Sequence, residues 1–371
     1  MVIKNINMKC KSIKRQMILI CLFLVYFLTN NSEAHALTLK DNETYDGHNK
    51  LRTTPIIIEG NHITLKNIKF KGESKKPKIL IKNSQDVKLK DITVEGNPQQ
   101  NGIHIQDSRG IVLKNINVSN VKDGIYIERV DHLHADDIHS TNNRYGIHFM
   151  YVNDATLQHS YFSGNITGIM LMVSQRVHLQ YNQIEQQRVL NATGITLYQS
   201  NQLSVQHNKL LNNYTAASIQ TIKDSKFKAN NLISNLTGLE IIDSQIPIEE
   251  NVFNNNINIV RMDQPQKNFQ KNHYDDPAII DLNGDGIGDQ PKRFSNLLSE
   301  LMAQDTTLNF YQNSPLHILL KWIEDKSAAI DPGFVDPKPM IEKNEIKIRF
   351  YPLFFILMLF SILLIRRRDV R

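Results

Sequence analysis

Cysteine is almost absent. The 371 residues include two, Cys10 and Cys21, both within the first 36. The rest of the chain therefore offers no disulfide, no thiolate metal site and no cysteine nucleophile. An excess of positive charge is lacking too, once the ends are set aside. The formal charge is +6; the first 36 residues carry five Lys/Arg and one Glu, and the last six carry four Arg and one Asp. Taking away these +4 and +3 leaves −1 for residues 37–365. The basic balance belongs to the termini and gives no nucleic-acid signal.

Residues 1–36 read as an export signal. Lys4, Lys9, Lys11, Lys14 and Arg15 precede an apolar run at 17–28, and Ala34-His35-Ala36 fits a small-residue cleavage site. A retained signal anchor is the alternative, for which twelve apolar residues are few. A second apolar run, 350–365, is followed by Arg366, Arg367 and Arg368. Its sixteen residues make about 24 Å of helix against a ~30 Å hydrocarbon core. Residues 346–349 lengthen it, and the arginines mark the cytoplasmic side. A hydrophobic cap helix is the alternative. The expected localisation is extracytoplasmic, exported and anchored in the cytoplasmic membrane by one C-terminal helix, with the C-terminus inside.

Between these ends the chain repeats. Gly102-Ile103-His104-Ile105 returns as Gly124-Ile125-Tyr126-Ile127, Gly146-Ile147-His148-Phe149 and Gly168-Ile169-Met170-Leu171. It returns again as Gly194-Ile195-Thr196-Leu197, Ala216-Ala217-Ser218-Ile219 and Gly238-Leu239-Glu240-Ile241. The step is 22 residues, except 26 from Gly168 to Gly194. A short fixed period means one unit stacked on itself. Its period-two alternation predicts strands, and strands stacked ~4.8 Å apart predict an all-β, right-handed parallel β-helix. Positions 103 and 105 and their equivalents are expected to point inward, with Ile111, Leu133, Ala155, Val177 and Leu203 as a second inward set. Asn182, Asn208, Asn230 and Asn251 predict a buried amide stack at a corner.

Less regular coils precede 102, giving about ten in all. Residues 37–54 are expected to cover the first open end. The expected domains are a signal peptide at 1–36, the β-helix at 37–257, a small partly helical cap at 258–340, and a linker, transmembrane helix and basic tail at 341–371. Within the cap, 296–303 and 315–325 have apolar residues at helical spacing, the latter Leu316, Leu319, Leu320 and Ile323. They are expected to cap the last coil or to dock a partner.

Three residue sets could carry chemistry. Asp281, Asn283, Asp285 and Asp289 supply oxygens at loop positions 1, 3, 5 and 9, with the Ile287 carbonyl at 7 and Gly286 at 6. This is the core of an EF-hand-like calcium loop, although Lys292 stands where a bidentate Glu normally closes the shell. A Gly/Asp-rich turn without metal is the alternative. His132, Asp154 and Arg176 are 22 apart and stack at the loop end of a strand. They are the candidate ladder for a polysaccharide lyase, hydrolase or epimerase, or else a solvated charge ladder. On the outward face, His148, Met150, Met170 and Met172 fall on two successive coils. Exposed methionines are unusual on a polar rod. Imidazole and thioethers suit Cu(I); a soft hydrophobic docking patch is the plainer alternative. No organic cofactor is implied.

The segment Tyr145-Gly-Ile-His148-Phe-Met150-Tyr151-Val-Asn153-Asp154, followed by Gly168-Ile-Met170-Leu-Met172-x-Ser174, resembles the NosD family. Asn272-His-Tyr274-Asp275-Asp276, the Asp281–Asp289 motif, Ser314-Pro315 and Val335-Asp336-Pro337-x-Pro339 follow in that family's order, so the resemblance covers roughly 38–340. It implies a non-catalytic, extracytoplasmic β-helix protein of nitrous oxide reductase maturation, hence of denitrification. Such a protein works with ABC transporter subunits, and with the reductase or a copper chaperone, in supplying the copper–sulfur centre. Transient Cu(I) contact at His148, Met150, Met170 and Met172 fits that role. The C-terminal membrane run departs from the soluble periplasmic form and suits a cell that has no periplasm to retain it.

Overall fold

The structure is a computed structural model. It describes residues 36–341 except 73–75, 265, 267, 277–278, 295–313, 317–318, 320–322 and 324–333. The leader to residue 35, the segment 296–303, the run 350–365 and Arg366, Arg367 and Arg368 lie outside the described residues. Among the described residues no helix is long and apolar enough to cross a membrane.

The chain winds as an all-β parallel solenoid. One column of strands starts at Leu37–Leu39 and ends at Asn258–Met262. Its register passes Leu37, Ile56, Ile79, Ile103, Ile125, Ile147, Ile169, Ile195, Ala217, Leu239 and Val260, eleven levels all paired in parallel. Residues 37–54 are therefore the first coil and not a separate cap. A second column runs from Thr44–Arg52 through Thr64–Lys71 and Lys88–Glu95 to Phe269–Gln270, and a third continues to His273–Tyr274. The solenoid thus extends past 257, where the glycine register stops.

The inward positions behave as the alternation predicts. Ile103, Ile125, Ile147, Ile169, Ile195, Ala217 and Leu239 are buried, as are Ile105, Ile127, Phe149, Leu171, Leu197, Ile219 and Ile241. The second set, Ile111, Leu133, Ala155, Val177 and Leu203, is buried as well. Each large aliphatic removed from water contributes about 1.5–3 kcal/mol, so the central stack is the main favourable contribution to the fold. Where a coil opens with glycine the space is tight, although Ala216 stands at the same register position one coil before Gly238. A Cβ on Gly146 would come 2.5 Å from the Gly168 carbonyl oxygen and 2.6 Å from Phe162 Cδ1.

Polar ladders secure the corners. Asn182, Asn208, Asn230 and Asn251 stack as expected, and the stack continues to Asn272. Each Oδ1 accepts the backbone N–H of the residue one coil earlier, Ser160 for Asn182 and an Asn for the others, and each Nδ2 donates to a carbonyl, 2.9 Å to Val205 in the case of Asn230. A second ladder, Asn143, Asn165, Gln187, Asn213, Asn235 and Asn256, does the same at the corner before each glycine. The 26-residue step arises here, from four extra exposed residues at 188–191.

Asp336 terminates the first ladder. Its fully buried carboxylate accepts from Asn272 N–H at 3.0 Å, Lys271 N–H at 3.2 Å and the Tyr274 hydroxyl at 2.8 Å. Strand Phe334–Asp336 pairs antiparallel with Lys292–Phe294, and Phe294 packs on Phe269 and Tyr274. These strands close the last coil. In the segment 315–325, Pro315, Leu316, Leu319 and Ile323 are helical, and the three aliphatics are exposed.

Candidate functional site

Strands Tyr145–Met150 and Thr167–Met172 are neighbours in the first column, with His148 opposite Met170 and Met150 opposite Met172. The sequence-derived patch is thus one continuous surface. Tyr126 and Glu128 continue it on the preceding coil, opposite His148 and Met150. The expected exposure is corrected, however. Met150, Met170 and Met172 are half-buried and His148 is 7% exposed. Parallel strands only ~4.8 Å apart press outward side chains of this size against one another.

His148 is built into a network that motif reading missed. Its Nδ1 lies 3.3 Å from Asp123 Oδ2, and Asp123 is 1% exposed. Arg144 grips the same carboxylate with Nε and Nη2, both at 2.8 Å. The imidazole stands edge-on to Tyr126 and Tyr145, each at 4.9 Å between centroids. Arg144 also covers the Tyr145 ring at 4.3 Å. Burial opposes ionisation of Asp123, but the hydrogen bonds from His148 and Arg144 outweigh it and hold its carboxyl below the usual carboxylate range. Burial, with Glu128 beside it, pushes the Tyr126 hydroxyl up to about 12. That hydroxyl lies 3.3 Å from Glu128 Oε2 and 3.4 Å from Met150 Sδ, and its one hydrogen serves one of them at a time. Asp123 and Arg144 were legible only by laying the coils side by side, because they sit 25 and four residues from His148 in sequence.

At the corner after these strands, Tyr151 and Val173 stack and are exposed. Val173 has φ 47°, a strained setting for a β-branched residue. At the opposite corner Ile166, Val189 and Leu190 are exposed, the latter two on the four-residue insertion. The face is therefore rimmed on both sides by apolar side chains.

The ladder His132, Asp154 and Arg176 is also assembled. Arg176 Nε donates to Asp154 Oδ1 at 2.5 Å, and His132 Nδ1 is 3.5 Å from Asp154 Oδ2. Arg109 Nη2 adds a contact to His132 Nε2 at 3.0 Å. All three ladder residues sit at left-handed corners, with φ of 56°, 55° and 53°. Their side chains are one-third to one-half exposed. Arg176 beside Asp154 lowers the aspartate's pKa, so that carboxylate holds its charge and is a poor proton donor near neutrality.

In the loop at 281–289 the oxygens are turned inward on the loop's own backbone. Asp281 accepts from Gly284 N–H at 2.6 Å and from Gly286 N–H at 2.8 Å. Asn283 accepts from Asp285, Asp285 from Ile287, and Asp289 from Leu282. Among the described residues no three His, Cys, Asp or Glu side chains gather as a metal-holding group.

No curated protein sequence matches the chain. Among solved structures, the chain is similar to a mutant of the periplasmic alginate epimerase AlgG, with 14% identity, a TM-score of 0.46, and coverage of 61% of this chain and 73% of that one. It is similar to an A-module of a mannuronan C-5 epimerase from Azotobacter vinelandii, with 10% identity, a TM-score of 0.39, and coverage of 65% and 84%. PfbA, a surface adhesin of Streptococcus pneumoniae, gives 13% identity, a TM-score of 0.38, and coverage of 62% and 73%. These likenesses are distant. The model of one family, described as periplasmic copper-binding protein (NosD), matches residues 87–283, which hold the whole His148–Met172 face. That match spans more than half of the chain, and the chain belongs to the NosD family.

Proposed function

We propose that this chain is a non-catalytic, extracytoplasmic maturation factor that assists assembly of the copper–sulfur centre of nitrous oxide reductase alongside an ABC transporter. Its outer face of His148, Met150, Met170 and Met172 is the contact surface for Cu(I) or for the partner that carries it. The observation that carries this reading is the register that sets an imidazole and three thioethers on two adjacent strands, within a match to a copper-binding family. Soft ligands of this kind favour Cu(I), and the apolar rim suits a protein partner such as the reductase or a copper chaperone. Attachment through 350–365 with Arg366, Arg367 and Arg368 inside would hold the rod at the membrane beside the transporter. Protease added to intact spheroplasts is then expected to digest the rod, and protection would reverse the orientation. A calcium ion at Asp281, Asn283, Asp285, the Ile287 carbonyl and Asp289 would stabilise the fold by mass action. Chelator is expected to lower the melting midpoint, and equal midpoints at millimolar calcium would reduce the loop to a turn.

The test of function is replacement of Met150, Met170 and Met172 together by Gln. These side chains face away from the core, so the fold is expected to persist while the reductase from the same cell loses copper–sulfur centre. Unchanged content would remove the patch from the mechanism. A second reading, a uronan lyase or epimerase, rests on the assembled ladder of His132, Asp154 and Arg176. It requires the purified rod to turn over an acidic polysaccharide and to lose that activity when the ladder is replaced.

A further inference from the structure

His148 has one ring nitrogen held and one left over. Nδ1 faces the Asp123 carboxylate, which Arg144 holds by two hydrogen bonds. An ionised carboxylate only accepts, so Nδ1 carries the hydrogen, and in the neutral ring Nε2 keeps its lone pair. Nε2 is buried and has no hydrogen-bond partner among the described residues. An unpaired buried polar atom costs about 1–3 kcal/mol, and a site retains one for a reason. The two ring nitrogens point to opposite sides, so Nε2 faces away from Asp123. The next coil in the stack opposes His148 with Met170.

We infer that His148 Nε2 and the Met170 thioether form a Cu(I) site, and that Asp123, locked by Arg144, is the positioning residue that fixes the imidazole for it. This rests on the copper reading proposed above and names the ligand atoms for it. The arrangement is that of metal-bound histidines, which donate their other ring N–H to a carboxylate that sets tautomer and orientation. Imidazole and thioether together select a soft monovalent copper over hard cations. In the neutral ring Nε2 carries no proton, so the ion binds there without displacing one. His104, two coils away, also has a buried Nε2 without a partner among the described residues, but its strand neighbours are Leu80 and Tyr126. It lacks a thioether opposite and serves as an internal control.

Long-range ¹⁵N–¹H spectra of the purified full chain read the tautomer directly, with His148 assigned from His148→Gln. The expected ring is protonated at Nδ1 and bare at Nε2. One equivalent of Cu(I), supplied anaerobically as its acetonitrile complex, is expected to move the His148 Nε2 resonance and leave His104 in place. In competition with a chromophoric Cu(I) chelator, Asp123→Asn is expected to weaken binding by ~10–100-fold, the usual effect of losing such a partner. Its amide donates to Nδ1 and shifts the proton to Nε2, which the same spectra show. Met170→Leu, close in volume, is expected to weaken Cu(I) binding without changing the tautomer. A bare Nδ1 in the wild type, no movement of Nε2 with Cu(I), or unchanged affinity in a folded Asp123→Asn would overturn the inference. If the triple methionine variant starves the reductase of copper while His148 stays silent to Cu(I), the site falls and the maturation role stands. If His148 binds Cu(I) while the reductase matures normally without this chain, the role falls and the site stands.

Discussion

Replacing Asn230 with Ala isolates what the amide ladder contributes. Asn230 is fully buried, and its Oδ1 accepts Asn208 N–H and Nδ2–H, both at 3.0 Å. Its Nδ2 donates to the Val205 carbonyl at 2.9 Å and to Asn251 Oδ1 at 3.1 Å. In Asn230→Ala the Asn208 side chain keeps its bonds to the Leu179 and Gln206 carbonyls. The Asn208 N–H and the Val205 carbonyl each lose a side-chain partner in a dry interior. At about 1–3 kcal/mol per orphaned group, the loss is roughly 2–6 kcal/mol. Lys209→Ala, one residue beyond Asn208 on the solvent side, is the matched control and is expected within ~0.5 kcal/mol of wild type. Urea unfolding followed by far-ultraviolet circular dichroism gives the difference, and hydrogen exchange at the Asn208 amide localises it. An Asn230→Ala midpoint no lower than that of Lys209→Ala, with Asn208 still protected, would refute the ladder as a source of stability.

Two further predictions concern the closed end. Burial, with Asp336 beside it, raises the Tyr274 hydroxyl well above its ordinary value, so the folded state resists an ionisation that the unfolded chain undergoes near pH 10. This contribution is complete below about pH 10 and is lost as pH rises beyond it, by at most ~1.4 kcal/mol per pH unit. Urea midpoints of Tyr274→Phe between pH 9 and 11.5 are therefore expected to fall less steeply than those of wild type, and parallel curves would contradict it. Asp336→Ala removes the acceptor of the Lys271, Asn272 and Lys338 amides. Exchange protection is expected to drop in coils 248–274 and to persist around 103–171, since a solenoid couples mainly to its neighbours; a uniform loss would contradict it.

The coil was legible in the sequence because its physical demands recur at a fixed step. Gly146 and its equivalents leave no room for a Cβ, and the inward Ile and Leu positions have no alternative to the core. The second amide ladder was equally periodic. Asn143, Asn165, Asn213 and Asn235 each stand three residues before the register residue, but the insertion at 188–191 moved Gln187 out of that spacing. The candidate face was legible as a list of residues and not as a site. His148, Met150, Met170 and Met172 stand out by type, whereas Asp123 and Arg144 are ordinary charged residues until stacking puts them against His148. Asp336 was beyond reach for the same reason, since 64 residues separate it from the ladder that it completes. At the N-terminal end, Leu37–Leu39 is too short to announce a strand, and only its pairing with Ile56–Ile58 reveals the first coil.

The central claim concerns a cargo delivered to another protein, so the direct measurement is made on that protein. Nitrous oxide reductase is purified from a strain lacking this chain, and its copper and acid-labile sulfur are quantified per polypeptide. The same is done after restoring the wild type, and after restoring a form with His132, Asp154 and Arg176 all replaced by Ala. The account predicts a reductase without its copper–sulfur centre in the deletion strain and full content with either restored form. A fully loaded reductase from the deletion strain, or rescue that fails only when the His132–Asp154–Arg176 ladder is missing, would contradict it.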